Sequence, residues 1–182
     1  MVSGARKGSA YERTLCRQFS LWITNGKRDD IFWRNITSGA QFTSAARRGR
    51  QTGIPGDMKA TDQLGYPFLA KFMVEFKHHK NIHLEQYLFD KAGTSPLARI
   101  IAKARAEASS AGLEPLVIAK QNRREAMVFV SPPVGFAARY AAHPPRAFYA
   151  HVLHNGAITM IPLSSFLLAR PSLFLARVDK QS

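Results

Sequence analysis

Residues 68 to 78 read FLAKFMVEFKH, and the alternation inside that run constrains the fold more than any other stretch of the chain. Successive side chains of a strand point to opposite faces, so Phe72, Val74 and Phe76 share one face while Met73, Glu75 and Lys77 share the other. A strand-like run from Asp57 to Thr61 precedes it, and Gln63-Leu64-Gly65-Tyr66-Pro67 between them carries turn residues. The two runs, Asp57 to Thr61 and Phe68 to His78, therefore read as an antiparallel hairpin. In such a hairpin Asp57, separated from Glu75 by 17 residues, comes level with it at the open end.

The rest of the chain supplies helices to cover that sheet. Ser9 to Asn25 reads as an amphipathic helix, with Tyr11, Leu15, Cys16, Phe19, Trp22 and Ile23 on one side and Gly26 as its stop. A short strand over Ile31 to Arg34 leads into the polar segment NITSGAQFTSAARRGRQTGIPG, which reads as an exposed loop. A second helix begins with Ser95 as N-cap and Pro96 at its first position and runs to Gly112. Strands Glu114 to Lys120 and Glu125 to Val130 pair across the turn Gln121 to Arg124. After Pro132 a short helix is expected, then a hairpin of Ala147 to Leu153 and Ala157 to Ile161 across His154-Asn155-Gly156, then a helical tail packed on the body. The fold class is α/β, a mixed central β-sheet flanked by helices, within a single domain of residues 1–182: a core over 1–130 and a C-terminal β-hairpin/helix extension over 131–182.

Charge narrows the partners. Lys and Arg number 26 against 12 Asp and Glu, a formal net charge of +14. An excess of that size attracts polyanions by phosphate neutralisation and counterion release, so nucleic acid is the expected partner. A membrane is not, since no apolar run approaches the roughly 20 residues needed to span one. The single Cys16 cannot make an intramolecular disulfide, and MVSGARKGSAYER has no signal-peptide core, so the expectation is an intracellular, cytoplasmic chain. Cys16 itself reads as a small buried hydrophobe.

Two carboxylates brought level on adjacent strands can share one hard cation. Magnesium suits such oxygen ligands and keeps several waters, so it can polarise a phosphoryl oxygen and supply a nucleophile near neutral pH. Lys77, on the same face as Glu75, can orient the attacking water or neutralise charge in the transition state. Asp62, with 12 residues between it and Glu75, is a rival first acid, but it lies beside the turn and Asp57 is preferred. Glu12 has two readings. Ser9-x-x-Glu12 matches a capping box, yet Glu12 also falls within the apolar arc of its helix and needs a partner there. His78, His79 and His83 lack an accompanying ligand cluster and read as a basic strand end near phosphate, and Lys80, Lys120, Arg123 and Arg124 are weaker candidates for gripping the nucleic-acid backbone. Arg47, Arg48 and Arg50 read as a loop that grips the nucleic-acid backbone, and no base-reading helix is evident.

Pro55-Gly56-Asp57 followed by Glu75-Phe76-Lys77 resembles the PD-(D/E)xK signature of the restriction-endonuclease-like nucleases. Gly8-Ser9-Ala10-Tyr11-Glu12-Arg13 resembles the opening G-x-x-x-E-R helix of one branch, the archaeal-type Holliday junction resolvases and their phage relatives. Arg34 with Ser38-Gly39 resembles that branch's R-x-x-S-G loop. The likeness covers roughly residues 6 to 130. It implies a restriction-endonuclease-like core and a homodimer acting on DNA, branched or duplex, in a bacterial or phage setting. It also implies Mg²⁺, with Mn²⁺ able to substitute, held by Asp57, Glu75 and the backbone carbonyl of Phe76. Lys77 would assist catalysis, Glu12 complete or tune the site, and Arg34 and Ser38 contact DNA. A glycine stands between Pro55 and Asp57 where the family usually has the acid directly after proline. The rivals are a non-catalytic basic DNA-binding protein on the same fold and a duplex-specific restriction-type enzyme or exonuclease, and an RNA substrate stays open.

Overall fold

The computed structural model describes residues 4–36, 55–90, 92–141, 150–152 and 157–175. Helix α1 (Gly4–Ile23) is followed by strands β1 (Phe32–Arg34) and β2 (Met58–Ala60), a 3₁₀ turn (Gln63–Gly65), the short helix α2 (Tyr66–Leu69) and strand β3 (Phe72–His79). A 3₁₀ turn at Leu84–Leu88 leads to α3 (Pro96–Ser110), β4 (Glu114–Gln121), β5 (Met127–Val130), α4 (Pro132–Ala141), β6 (Ala150–Val152), β7 (Ile158–Pro162) and α5 (Leu163–Phe166).

Five strands form one mixed sheet in the order β3-β4-β5-β7-β6. Among the described strand pairs of this sheet only β3 and β4 run parallel, with Phe72 opposite Glu114 and His78 opposite Lys120. The connection between them carries α3, as a parallel crossover requires. The C-terminal hairpin extends this sheet, because β7 pairs antiparallel with β5. Its turn, at 153–156, lies outside the described residues.

Helices cover both faces. On one, Leu15, Phe19 and Trp22 of α1 pack with Phe72, Val74 and Phe76 of β3 and with Val128, Phe166 and Phe174. On the other, Leu97, Ile101, Ala104 and Ala108 of α3 pack on Met73, Val117, Ala119 and Phe129. The alternation of β3 thus places Phe72, Val74 and Phe76 under α1, and its opposite face under α3. Cys16 is completely buried among the first group. The Ser95 hydroxyl accepts from the Ala98 amide, which fixes the start of α3. Trp22 Nε1 donates to the Ala169 carbonyl at 2.8 Å and so ties the C-terminal segment to α1.

The expected hairpin between residues 57 and 78 is corrected. β2 pairs antiparallel with β1, not with β3, with Trp33 opposite Lys59. Phe68 is helical and buried, with its ring 5.1–5.8 Å from those of Phe19, Trp22, Phe32 and Phe72. Filling that aromatic cluster outweighs the strand propensity of residues 68–71. Gly65 fits the tight approach of the preceding turn, where a Cβ would lie 2.7 Å from the Phe32 ring. The capping box is corrected too: α1 begins at Gly4, so Ser9 lies inside the helix, where its hydroxyl accepts from Arg13.

Candidate active site

Among the described strands β3 lies at one end of the sheet, and its outer edge is where the acidic residues meet. Just before β2, the Asp57 amide donates to the Val74 carbonyl at 2.7 Å. The Phe76 amide in turn donates to Asp57 Oδ2 at 2.8 Å. Asp57 is therefore clamped across the β3 edge by its own backbone and its own carboxylate, with Glu75 between the two points of attachment. The level placement of Asp57 and Glu75 arises from these two bonds instead of from hairpin register.

Two residues to which the sequence assigned no part in the site make this possible. Gly56 has φ +87°, and a Cβ there would sit 2.6 Å from the Val74 carbonyl oxygen. Only glycine lets the loop press so closely on β3. Asn35, 8% exposed, holds the loop from behind: its amide donates to the Asp57 carbonyl at 2.7 Å and its Nδ2 to the Gly56 carbonyl at 3.0 Å. The glycine between Pro55 and Asp57 was the available signal; Asn35, in a polar stretch, offered none.

Lys77 lies between the acids. Its Nζ contacts Glu75 Oε1 and stands 3.8 Å from Asp57 Oδ2. Burial, and then the neighbouring Asp57 charge, push the Glu75 carboxyl above its ordinary value; Lys77 opposes the shift and Glu107 of α3 adds to it. Burial works against the Lys77 ammonium, yet the charges of Glu75 and Asp57 outweigh it and hold the group above the usual lysine value. The carboxylates carry one negative charge more than Lys77 neutralises, in a recess where both acids are only 14% exposed. That surplus, presented on oxygen donors alone, fits a hard divalent cation. Among the described residues no group of three or more His, Cys, Asp and Glu is placed to hold a metal ion. Two carboxylates are the donor set Mg²⁺ ordinarily takes from protein, the remaining positions falling to backbone oxygen, water and substrate.

Glu12, on α1, accepts from Arg34 Nε at 3.0 Å, and its charge is felt at Lys77. Arg34 thus serves first as the partner of a half-buried acid. Burial, with Glu12 and Asp57 nearby, pushes the Cys16 thiol up to about 12, so it is no nucleophile. Asp62 has other partners: its carboxylate accepts from the Leu64 amide at 3.0 Å and from Arg28 at 2.7 Å. Lys80 is exposed in the turn after β3. His78 lies within hydrogen-bonding distance of Asn122 Oδ1, at 3.0 Å. Ser38, Arg47, Arg48 and Arg50 lie outside the described residues. No helix among the described residues is long and apolar enough to cross a membrane.

No curated protein and no solved structure matches the chain. A family model does, over residues 3–152, a span that takes in Glu12, Asp57, Glu75 and Lys77 and continues beyond β5 into β6. The chain belongs to the family described as "Phage putative PDDEXK endonuclease".

Proposed function

We propose that the chain is a Mg²⁺-dependent DNA endonuclease selective for branched DNA, in the manner of a Holliday junction resolvase. The observation that carries the reading is the clamp that holds Asp57 against the β3 edge beside Glu75 and Lys77. Asp57 and Glu75 would hold the cation, with the Phe76 carbonyl as a backbone ligand. Bound there, a divalent cation supplies Lewis acidity toward the scissile phosphate and lowers the pKa of water.

The chain's own groups account for the rest. Lys77, kept protonated by the two acids, orients the incoming water and offsets charge that develops on the phosphoryl oxygens. Glu12 sets the position of Arg34 and adds negative potential behind Lys77. Arg34 and Lys80, with Ser38, Arg47, Arg48 and Arg50, grip backbone phosphates, which suits a chain of +14. A homodimer would present two such sites to a junction, which offers two equivalent strands.

The test is a matched substrate set: four-way junction, flap, splayed arm, linear duplex, single strand and an RNA, incubated with wild type and Glu75→Ala in Mg²⁺, Mn²⁺ and EDTA. Metal-dependent cutting of the junction in preference to linear duplex, absent in the variant, is the expected result. Equal cutting of linear duplex would replace the resolvase reading with a restriction-type one. Salt-sensitive binding without cutting in any metal would leave a non-catalytic DNA-binding protein.

A further inference from the structure

Behind the acidic edge, on the α1 face of the sheet, lies a cleft of about 560 Å³ that plays no part in the chemistry above. We infer that it receives a single unpaired nucleotide of the bound DNA, with the base against its apolar wall and the phosphate at its basic rim. The inference rests on the nuclease reading for the identity of the polymer, and on the cleft itself for the mode of binding.

The rim is built by strand register. His78 and Lys120 face each other on the parallel pair β3 and β4 and therefore project side by side. The Tyr11 ring touches both: its centroid is 4.9 Å from that of His78, and Lys120 Nζ stands over it at 5.8 Å. An aromatic ring beside a lysine is the combination that binds single strands, the ring taking a base face and the cation a phosphate. Ala126, Leu163 and Leu167 supply the apolar wall. The volume falls in the range of small-ligand sites, roughly 300–1,000 Å³.

The cleft also has a group that would read a base edge. Glu125 lines it, and its carboxylate accepts a hydrogen bond from the Ser164 hydroxyl, which orients it. A carboxylate there repels a second phosphate but accepts from the exocyclic amine of cytosine or adenine. A base stacked within a duplex cannot enter a cleft of this kind without leaving its partner, so an unpaired one is favoured. Position links the cleft to the acids: Tyr11 precedes Glu12 on α1, and His78 follows Lys77 on β3. Flaps and splayed arms carry unpaired nucleotides at their branch point, whereas a four-way junction must open a pair there to supply one; a base held in this cleft would fix the strand relative to Asp57 and Glu75.

The experiment measures binding of a 2-aminopurine-labelled single strand to the full chain in EDTA, where no cutting occurs. It is set against the same strand carrying abasic positions and against a blunt duplex. The one base held in the cleft is expected to contribute about 5- to 150-fold in affinity, the factor equivalent to roughly 1–3 kcal/mol of stacking. Abasic strands should bind weaker by that factor, and Tyr11→Ala should erase the difference. Because Tyr11 also packs against the core, Ser164→Trp, which fills the cleft from an exposed rim position, is measured in parallel with the same expected loss. Equal affinity for abasic and normal strands in wild type, or an abasic penalty that survives in Ser164→Trp, would overturn the inference. Cleavage in Mg²⁺ is scored separately. Cutting without an abasic penalty sinks the cleft and leaves the nuclease, whereas a penalty without cutting supports the cleft and removes the nuclease.

Discussion

The Phe76 amide donates a 2.8 Å hydrogen bond to Asp57 Oδ2, so the acid is fixed by the strand that carries Glu75 and Lys77. Strand edge and acid form one hydrogen-bonded unit. Perturbing that unit, or the charges gathered on it, gives consequences that can be measured separately.

Gly56→Ala is expected to damage activity more than stability. The substitution forces a side chain into φ +87° and 2.6 Å from the Val74 oxygen, at a cost of about 1–3 kcal/mol. The loop can relieve the strain only by lifting from β3, which moves Asp57 away from Glu75. Urea unfolding should show a loss within that range, and Mg²⁺-dependent cleavage should fall by more than the lost folded fraction accounts for.

Lys77→Met removes the ammonium that both acids share. Cleavage should drop by about 10²–10³-fold in kcat, the range for deleting one preorganised group that stabilises the transition state. Single-turnover rates at saturating DNA check this, and an unchanged rate would remove Lys77 from the chemistry.

The pH dependence follows from Glu75. Its carboxyl is raised above the ordinary 4.5 by burial and then by Asp57. A group with a raised folded pKa contributes stability that is complete below its unfolded value and is lost as pH rises through the folded value. In EDTA, the difference in Tm between wild type and Glu75→Gln should therefore shift against wild type as pH climbs from 4.5 upward. Asp90, lowered to about 2 by hydrogen bonds from Ser95, acts in the opposite sense between 3.8 and that value. The paired comparison with Glu75→Gln isolates the one from the other.

Glu12 and Arg34 should be energetically coupled. Both side chains are about a quarter exposed and 3.0 Å apart, so a double-mutant cycle of Glu12→Gln and Arg34→Ala is expected to return a coupling of about 0.5–3 kcal/mol in unfolding free energy. Additive effects would mean that Glu12 has its main partner elsewhere.

What could be read in advance was local. Alternation along residues 72–77 placed Glu75 and Lys77 on one face, because the period of a strand is fixed by its backbone. Ser95-Pro96 marked the start of α3 for a similar reason: cap and first-turn proline act within one turn. The departures came from tertiary packing. Phe68 completes an aromatic cluster with residues of α1 and β1, and no pattern within residues 63–71 carries that information. Ser9-x-x-Glu12 matched a capping box, but the helix continues to Gly4 and Glu12 pairs instead with Arg34, 22 residues away. The clamp on Asp57 depends on Asn35 and Gly56 meeting β3, a contact between segments distant in sequence.

The most direct measurement is Mg²⁺-dependent cleavage of a four-way junction by wild type, Asp57→Asn and Glu75→Ala, each shown to be folded by its thermal transition. Cutting by wild type that ceases in EDTA and in both folded variants is the predicted result. Cutting that persists in EDTA, or in either folded variant, would contradict the assignment of Asp57 and Glu75 as the pair that holds the cation.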